Sequence, residues 1–219
     1  MKTRSPVDTK QQILDVAERH FAVYGYAGSS VRGIIKDANV NIAAVAYHFG
    51  TKEDLFNAVV ERFAAPVVAA QLRQLERVKE DRELATILDA FYGPPLKLIK
   101  ARGKSGEILA LFLGRMQNEP DPIFSIVDNH FSVCRNNFID AFRKCLPEAA
   151  EADLQWSFEF MLSLIVSFLV RQAYIRKRYA DPMDWTPQAA SERMIRFCLS
   201  GMHTPRQKKR GRGRSSKGR

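Results

Sequence analysis

In almost every segment from Asp8 to Gly201 the apolar residues of this 219-residue chain recur at spacings of three and four, and no run alternates apolar with polar residues as a strand would. A chain with that one period builds its core from helices alone, so the expected fold is all-α. Local signals place the first elements. Asp8, with Gln11 three residues on, opens a helix whose Ile13, Ala17, Phe21 and Tyr24 form one face, and Gly25 and Gly28 end it. Ser29 or Ser30 caps a second helix of about eight residues, with Val31, Ile34, Ile35 and Ala38 inward. Asn39 then stands where the chain must turn, and Asn tolerates the left-handed conformation. Asn41 caps a third short helix, from Ile42 to Phe49, which turns Val40, Val45 and Phe49 inward before Gly50 stops it. Thr51 caps a fourth, with Leu55, Phe56, Val59 and Phe63 at core spacing. Two short helices joined by a tight turn and clasped by longer ones make a helix-turn-helix, whose second helix fits the DNA major groove.

The remainder is helical as well. Leu84 to Ala101 contains Pro94 and Pro95, which we expect to kink or break it. Segments 108–118, 123–146 and 154–178 follow. The last helix has Thr186 as cap, Pro187 in its first turn and Gly201 past its end.

Charge is unevenly spread. The 34 Lys and Arg exceed the 24 Asp and Glu by ten, but eight of the basic residues lie in HTPRQKKRGRGRSSKGR (203–219), which has no acidic one. The other 26 nearly balance the 24 acidic groups over residues 1–202. This tail lacks apolar anchors, and we expect it to be disordered. Its charge favours an acidic partner such as nucleic acid.

Other classes find no support. The opening MKTRSPVDTKQQ has no apolar stretch after its charges, so no leader is expected. The longest apolar run, Phe160 to Val170, is broken by two serines and falls short of the 18–20 or so residues of a membrane span. Cys134, Cys145 and Cys198 are odd in number without CxxC spacing, and the four histidines are scattered, so neither a metal nor another cofactor is expected. A reducing cytoplasm fits. P-loop, GxGxxG and GxSxG motifs are missing, so an enzyme is not expected.

The stretch SVRGIIKDANVNIAAVAYHFGTKEDLF resembles the DNA-binding domain of the TetR family of transcriptional repressors, over roughly residues 8–60. The resemblance implies a homodimer with an N-terminal helix-turn-helix domain (1–60), a C-terminal helical effector-binding and dimerisation domain (61–202) and here the basic tail (203–219). It also implies DNA contacts at Ser30, Arg32, Asn41, Ala43, Ala44, Tyr47, His48 and Lys52. The family's matches to Tyr47, His48 and Lys52 hold backbone phosphates, and the match to Arg32 reaches a base. Their chemistry agrees: Tyr47, His48 and Lys52 present donors where two helices meet, and Lys52 adds the anion-attracting first turn of its own helix. Ala43, Ala44 and Ala46 depart from the pattern by leaving the third helix few polar reading groups. Direct readout then falls to Arg32, Asn41 and methyl contacts with thymine, and DNA shape gains weight.

VNIAAVAYHFG, LALFLGRMQNEP and FEFMLSLIVSFL together are similar to the PsrA-type subgroup, whose members answer to fatty acids. That likeness implies a hydrophobic effector, for which Phe91, Leu96, Leu113, Met116, Phe131, Phe138, Met161 and Phe168 are candidate lining residues. Arg115 is the candidate partner for a carboxylate. The helix from Leu154 is apolar on more than one face, with Leu162 and Leu169 pointing away from Met161, Ile165 and Phe168. A helix apolar all round must be covered all round. Leu162, Leu169, Met194, Phe197 and Cys198 are therefore expected in a four-helix dimer interface. Two functions stay open: a regulator released from a palindromic operator by a small effector, and a nucleic-acid packaging or RNA-associated protein that binds mainly through its tail.

Overall fold

Short polar side chains set the helix starts. Ser30, Asn41, Thr51 and Thr186 each accept a hydrogen bond from a backbone N–H two or three residues on. The computed structural model describes residues 6–78, 80, 83–179 and 186–202, and the basic tail lies outside them. Nine helices occupy the described residues: α1 (Pro6–Gly28), α2 (Val31–Ala38), α3 (Ile42–His48), α4 (Lys52–Val78), α5 (Leu84–Ala101), α6 (Lys104–Met116), α7 (Ile123–Cys145), α8 (Glu151–Arg178) and α9 (Pro187–Met202). The all-α expectation holds.

Helix α1 packs on α2, α4 and α6, while α5 lies between α4 and α9. Helix α7 covers α4 and α8, and α6 crosses α8. One cluster of buried side chains runs through the whole arrangement. Phe56 of α4 meets Phe21 of α1 edge-on at 5.1 Å and Phe112 of α6 at 5.9 Å, so the three-helix head and the larger bundle share aromatic packing.

Gly25 interrupts α1 with φ 71° and ψ 179°, a left-handed conformation open to glycine. The break corrects one expectation. Tyr24 is 59% exposed instead of facing inward. Beyond the kink it is Tyr26 that turns into the core, 5.3 Å from Phe56.

Pro94 and Pro95 do not break α5, which runs unbroken from Leu84 to Ala101. Proline at 95 leaves the Phe91 carbonyl without its helical donor. Gln71 Nε2, from α4, donates to that carbonyl at 2.8 Å. The Cys134 thiol, pushed up to about 12 by burial, donates in turn to Gln71 Oε1 at 3.2 Å. Replacing Gln71 with Leu leaves a buried carbonyl unpaired. It should cost about 1–3 kcal/mol, read as a lower urea midpoint at unchanged slope.

Two further expectations change. Helix α9 continues through Gly201 to Met202, because Met202 packs on the core and holds the last turn. On α8 the buried stripe is Leu154, Phe158, Met161, Ile165 and Leu169. Leu169 therefore lies with Met161, not opposite it, and Phe168 is only half-buried. Helix α4 and the Glu151–Gln172 part of α8 are long and apolar enough to cross a membrane by length and composition. In α4 that apolarity serves packing against α5 and α7. In α8 it includes an outer face, described below.

Candidate nucleic-acid interface and effector cavity

The angle between α2 and α3 is fixed by backbone chemistry. Asn39 takes φ 49° and ψ 51°, and its N–H donates to carbonyls at the end of α2. Gln12 of α1 donates from Nε2 to the Ala38 carbonyl at 2.6 Å, and His20 pairs with Asp37 at 2.8 Å. The turn is thus gripped from α1 at two points. Asn41 then starts α3 with its Oδ1 accepting from the Ala43 N–H at 3.0 Å.

Helix α3 turns its Val45 inward and leaves Asn41, Ile42, Ala43, Ala46 and Tyr47 exposed, with Ala44 half-buried beside them. Tyr47 is 82% exposed, touching the ring of His48 at 5.0 Å. A tyrosine so exposed contributes little to the core; its hydroxyl is free to meet an outside group. Ile42, 61% exposed, was not singled out from the sequence. It falls off the Val40, Val45 and Phe49 stripe, which was the available signal, and its side chain suits a thymine methyl.

Gly50, at φ 81°, turns the chain into α4. Thr51 and Asp54 close a reciprocal cap: Thr51 N–H and Oγ1–H donate to Asp54 Oδ2 at 3.0 and 2.6 Å, and Asp54 N–H donates to Thr51 Oγ1 at 3.0 Å. The side-chain bond from Thr51, helped by the backbone one, holds the Asp54 carboxyl below its ordinary value. Lys52, in this first turn, stands over the Tyr26 ring at 4.2 Å. Burial lowers its pKa, and the charge of Glu119 works against that shift. The structure therefore brings together an exposed tyrosine, a half-buried histidine and a lysine at the junction of α3 and α4. Ser30 and Arg32 are exposed on the neighbouring α2 segment.

The C-terminal end of α6 is tied to this head. Arg115 Nη2 donates to the Val23 carbonyl at 3.0 Å, and Glu119 Oε1 accepts from the Tyr26 N–H at 2.7 Å. Both bonds flank the Gly25 kink. Arg115 is exposed and turned to α1, so it does not reach the apolar cavity, contrary to expectation.

That cavity lies among α4, α5, α6, α7 and α8 and measures about 120 Å³. Of the residues expected to line it, Phe91, Leu113, Met116 and Phe131 do. Leu96, Phe138, Met161 and Phe168 do not. Phe138 is fully buried against Phe91 and Phe142, and the Met161 carbonyl accepts from the buried Tyr92 hydroxyl at 3.2 Å. Leu162 and Leu169, expected at a dimer interface, line this cavity instead. The cationic group at its edge is Arg135, which pairs with Asp128 through two hydrogen bonds, one of 3.0 Å. Those bonds hold its pKa above the ordinary value against the opposing effect of burial. Arg135 sits in a polar stretch of α7, so apolar periodicity gave no signal for it.

A second hollow, of about 1110 Å³, opens on the outer face between α8, α9 and the α7–α8 connection. Trp156 and Phe160 stack there at 5.5 Å, 61% and 66% exposed, and Phe197 of α9 is 73% exposed. Cys198 lines the hollow, while Met194 is buried inward of it. Three large apolar side chains on adjoining helices make an unusually apolar outer face.

Comparison with known proteins follows the same division. Residues 13–59 match the family described as bacterial regulatory proteins, tetR family, and residues 89–201 match the tetracyclin repressor-like C-terminal domain. The HTH-type transcriptional repressor AcnR of Corynebacterium efficiens is 42% identical over 60 residues, which are 27% of this chain and 32% of that protein. The chain thus spans about a third of the length of the curated relatives it first matches. Among solved structures, the fatty acid degradation regulator FadR from Bacillus halodurans superposes with a TM-score of 0.68 at 15% identity, over 93% of this chain and 100% of that one. FadR from Bacillus subtilis, in complex with stearoyl-CoA, gives 0.63 at 16% identity, over 88% and 99%. At such identities the likeness speaks for the fold.

Proposed function

This chain belongs to the TetR family of bacterial transcriptional regulators, and on that footing we propose that it is a homodimeric repressor released from a palindromic operator by a small hydrophobic effector. The observation that carries the reading is the junction of α3 and α4, where Tyr47, His48 and Lys52 converge on a helix-turn-helix held from α1. Tyr47 and Lys52 bind phosphates flanking the major groove, with His48 between them. Arg32, Asn41 and the methyl groups of Ile42, Ala43 and Ala44 meet base edges, and Ser30 supports the approach of α2. The DNA-reading unit extends to about residue 60 and the effector and dimerisation unit from there to 202. The tail adds sequence-independent attraction. This division leaves nucleic-acid packaging through the tail as the weaker reading, since packaging has no use for an exposed reading helix.

The effector binds in the α4–α8 cavity. An acyl compound is the favoured class, supported by the apolar lining and by the stearoyl-CoA bound to the related fold of Bacillus subtilis FadR. At about 120 Å³ the cavity is smaller than the roughly 300–1,000 Å³ of ordinary ligand sites. An acyl chain must therefore part α6 and α8 from α7, and its carboxyl end meets Arg135. Because Leu113 and Met116 line the cavity and Arg115 and Glu119 hold the Gly25 kink, a shift of α6 reaches the DNA-reading head directly. A ligand that favours the parted state lowers operator affinity by shifting populations.

Free fatty acids of graded length and stearoyl-CoA, titrated into the protein–DNA complex, test this. Release should appear at micromolar ligand and should be lost in Leu162→Trp, which fills the cavity while keeping DNA binding. Release that persists in Leu162→Trp, or none with any acyl compound, would remove the effector assignment.

A further inference from the structure

A cleft of about 430 Å³ lies between α1, Arg62 near the middle of α4, and the α5–α6 connection with the start of α6. It differs in chemistry from the apolar cavity: of its lining residues only Ile108 is apolar. Four cations, Arg19, Arg62, Arg102 and Lys104, line it with two carboxylates, Asp15 and Glu18. The excess is two positive charges in a concave site, where low-dielectric walls concentrate the potential.

The carboxylates are already engaged. Arg62 Nη1 donates to Asp15 Oδ1 at 2.6 Å, and Arg62 Nη2 donates to Glu18, which is 5% exposed. Arg102 Nη1 stands 3.6 Å from the same Glu18 oxygen. Arg62 Nε–H is buried without an acceptor, an unusual state for a charged donor. Arg19 and Lys104 are both exposed, and neither pairs with a carboxylate among the described residues. A purely structural ion-pair network balances its charges; this one leaves two cations and one buried donor over.

We propose that this cleft is a second ligand site, which takes a small dianion (a phosphate compound or a dicarboxylate) between Arg19, Arg102 and Lys104. The occupant neutralises the excess charge and bridges α1, at the root of the DNA-reading head, to the first turn of α6. It thereby stiffens the junction already gripped by Arg115 of α6 and by Glu119 just beyond its end. Such a ligand couples to DNA affinity independently of anything in the apolar cavity. The binding itself rests on the cleft alone and not on the repressor reading.

The test is calorimetric titration of the full chain with inorganic phosphate, pyrophosphate and succinate at fixed ionic strength, with acetate as monoanion control. One saturable site per chain is expected for a dianion, and none for acetate. Preference for pyrophosphate or for succinate identifies the source. The double variant Arg19→Ala, Lys104→Ala removes two exposed side chains and so keeps the fold, checked by an unchanged melting temperature without anion. It should weaken binding by about a hundredfold, since each lost charge-assisted contact is worth about tenfold or more. The basic tail and Lys52 are present in both proteins, so any attraction they exert cancels. Equal affinity in the double variant, or heats that never saturate, would overturn the site.

Discussion

Glutamate placed at both Phe160 and Phe197 should turn the protein into a monomer and lower its operator affinity by about a hundredfold or more. The two side chains are 66% and 73% exposed on the outer faces of α8 and α9, so in a single chain the substitutions disturb little and the melting temperature of the subunit should barely move. In a dimer built on that face they place four carboxylates in an apolar seam, which costs several kcal/mol unless the seam opens. The loss of DNA affinity follows from geometry, because a palindrome bound by two linked heads gains on the order of 10²–10⁴ over one. Sedimentation at micromolar concentration reads the first effect and anisotropy with operator DNA the second. A variant that remains a dimer would place the interface elsewhere on the molecule.

The second large effect belongs to Tyr47 and Lys52. Alanine at Lys52 removes one contact from each subunit and should cost about a hundredfold or more in operator affinity, and alanine at both positions more still, since hydrogen bonds to charged groups are worth about 1.5–3 kcal/mol each. The salt dependence separates the two residues. Lys52 neutralises a phosphate in each subunit, so its loss should reduce the slope of log K against log salt by about 2 per dimer, whereas Tyr47→Phe lowers affinity and leaves the slope alone. Neither change should unfold the head. Tyr47 is 82% exposed, and Lys52 gives up a contact with Tyr26 worth about 1 kcal/mol at most. Affinity within twofold of the parent in the double variant would show that the α3–α4 junction is not the phosphate clamp.

Much of the DNA-reading head was legible because its signals are local. The caps at Ser30, Asn41 and Thr51 and the left-handed Asn39 each depend on a residue and its neighbours two or three positions away. What the sequence misassigned depends on distant partners. Pro94 and Pro95 look like a break until Gln71, on another helix, supplies the donor that Pro95 lacks. Tyr24 looks inward on a continuous helix, but the kink at Gly25 hands its place to Tyr26. Arg115 looks like the lone cation of an apolar run, yet the rotation of α6 against α1 aims it at the Val23 carbonyl and leaves Arg135 beside the cavity.

Helix α8 shows the same limit more generally. A run apolar on two faces does not reveal which face is inside. The buried stripe through Leu154, Phe158, Met161, Ile165 and Leu169 took Leu169 inward and left Trp156 and Phe160 out. On α8 the apolar outer face is thus formed by Trp156 and Phe160, beside the expected Phe197 and Cys198 of α9.

The central claim is that this chain reads a DNA sequence through paired helix-turn-helix heads, and selection from a random double-stranded DNA library tests it most directly. The protein should enrich one palindrome whose half-sites lie a helical turn apart, about 10–10.5 base pairs centre to centre. The tail removed at residue 203 should leave that same palindrome with a shallower salt dependence. Recovery of no common sequence, or loss of all binding with the tail, would contradict the claim.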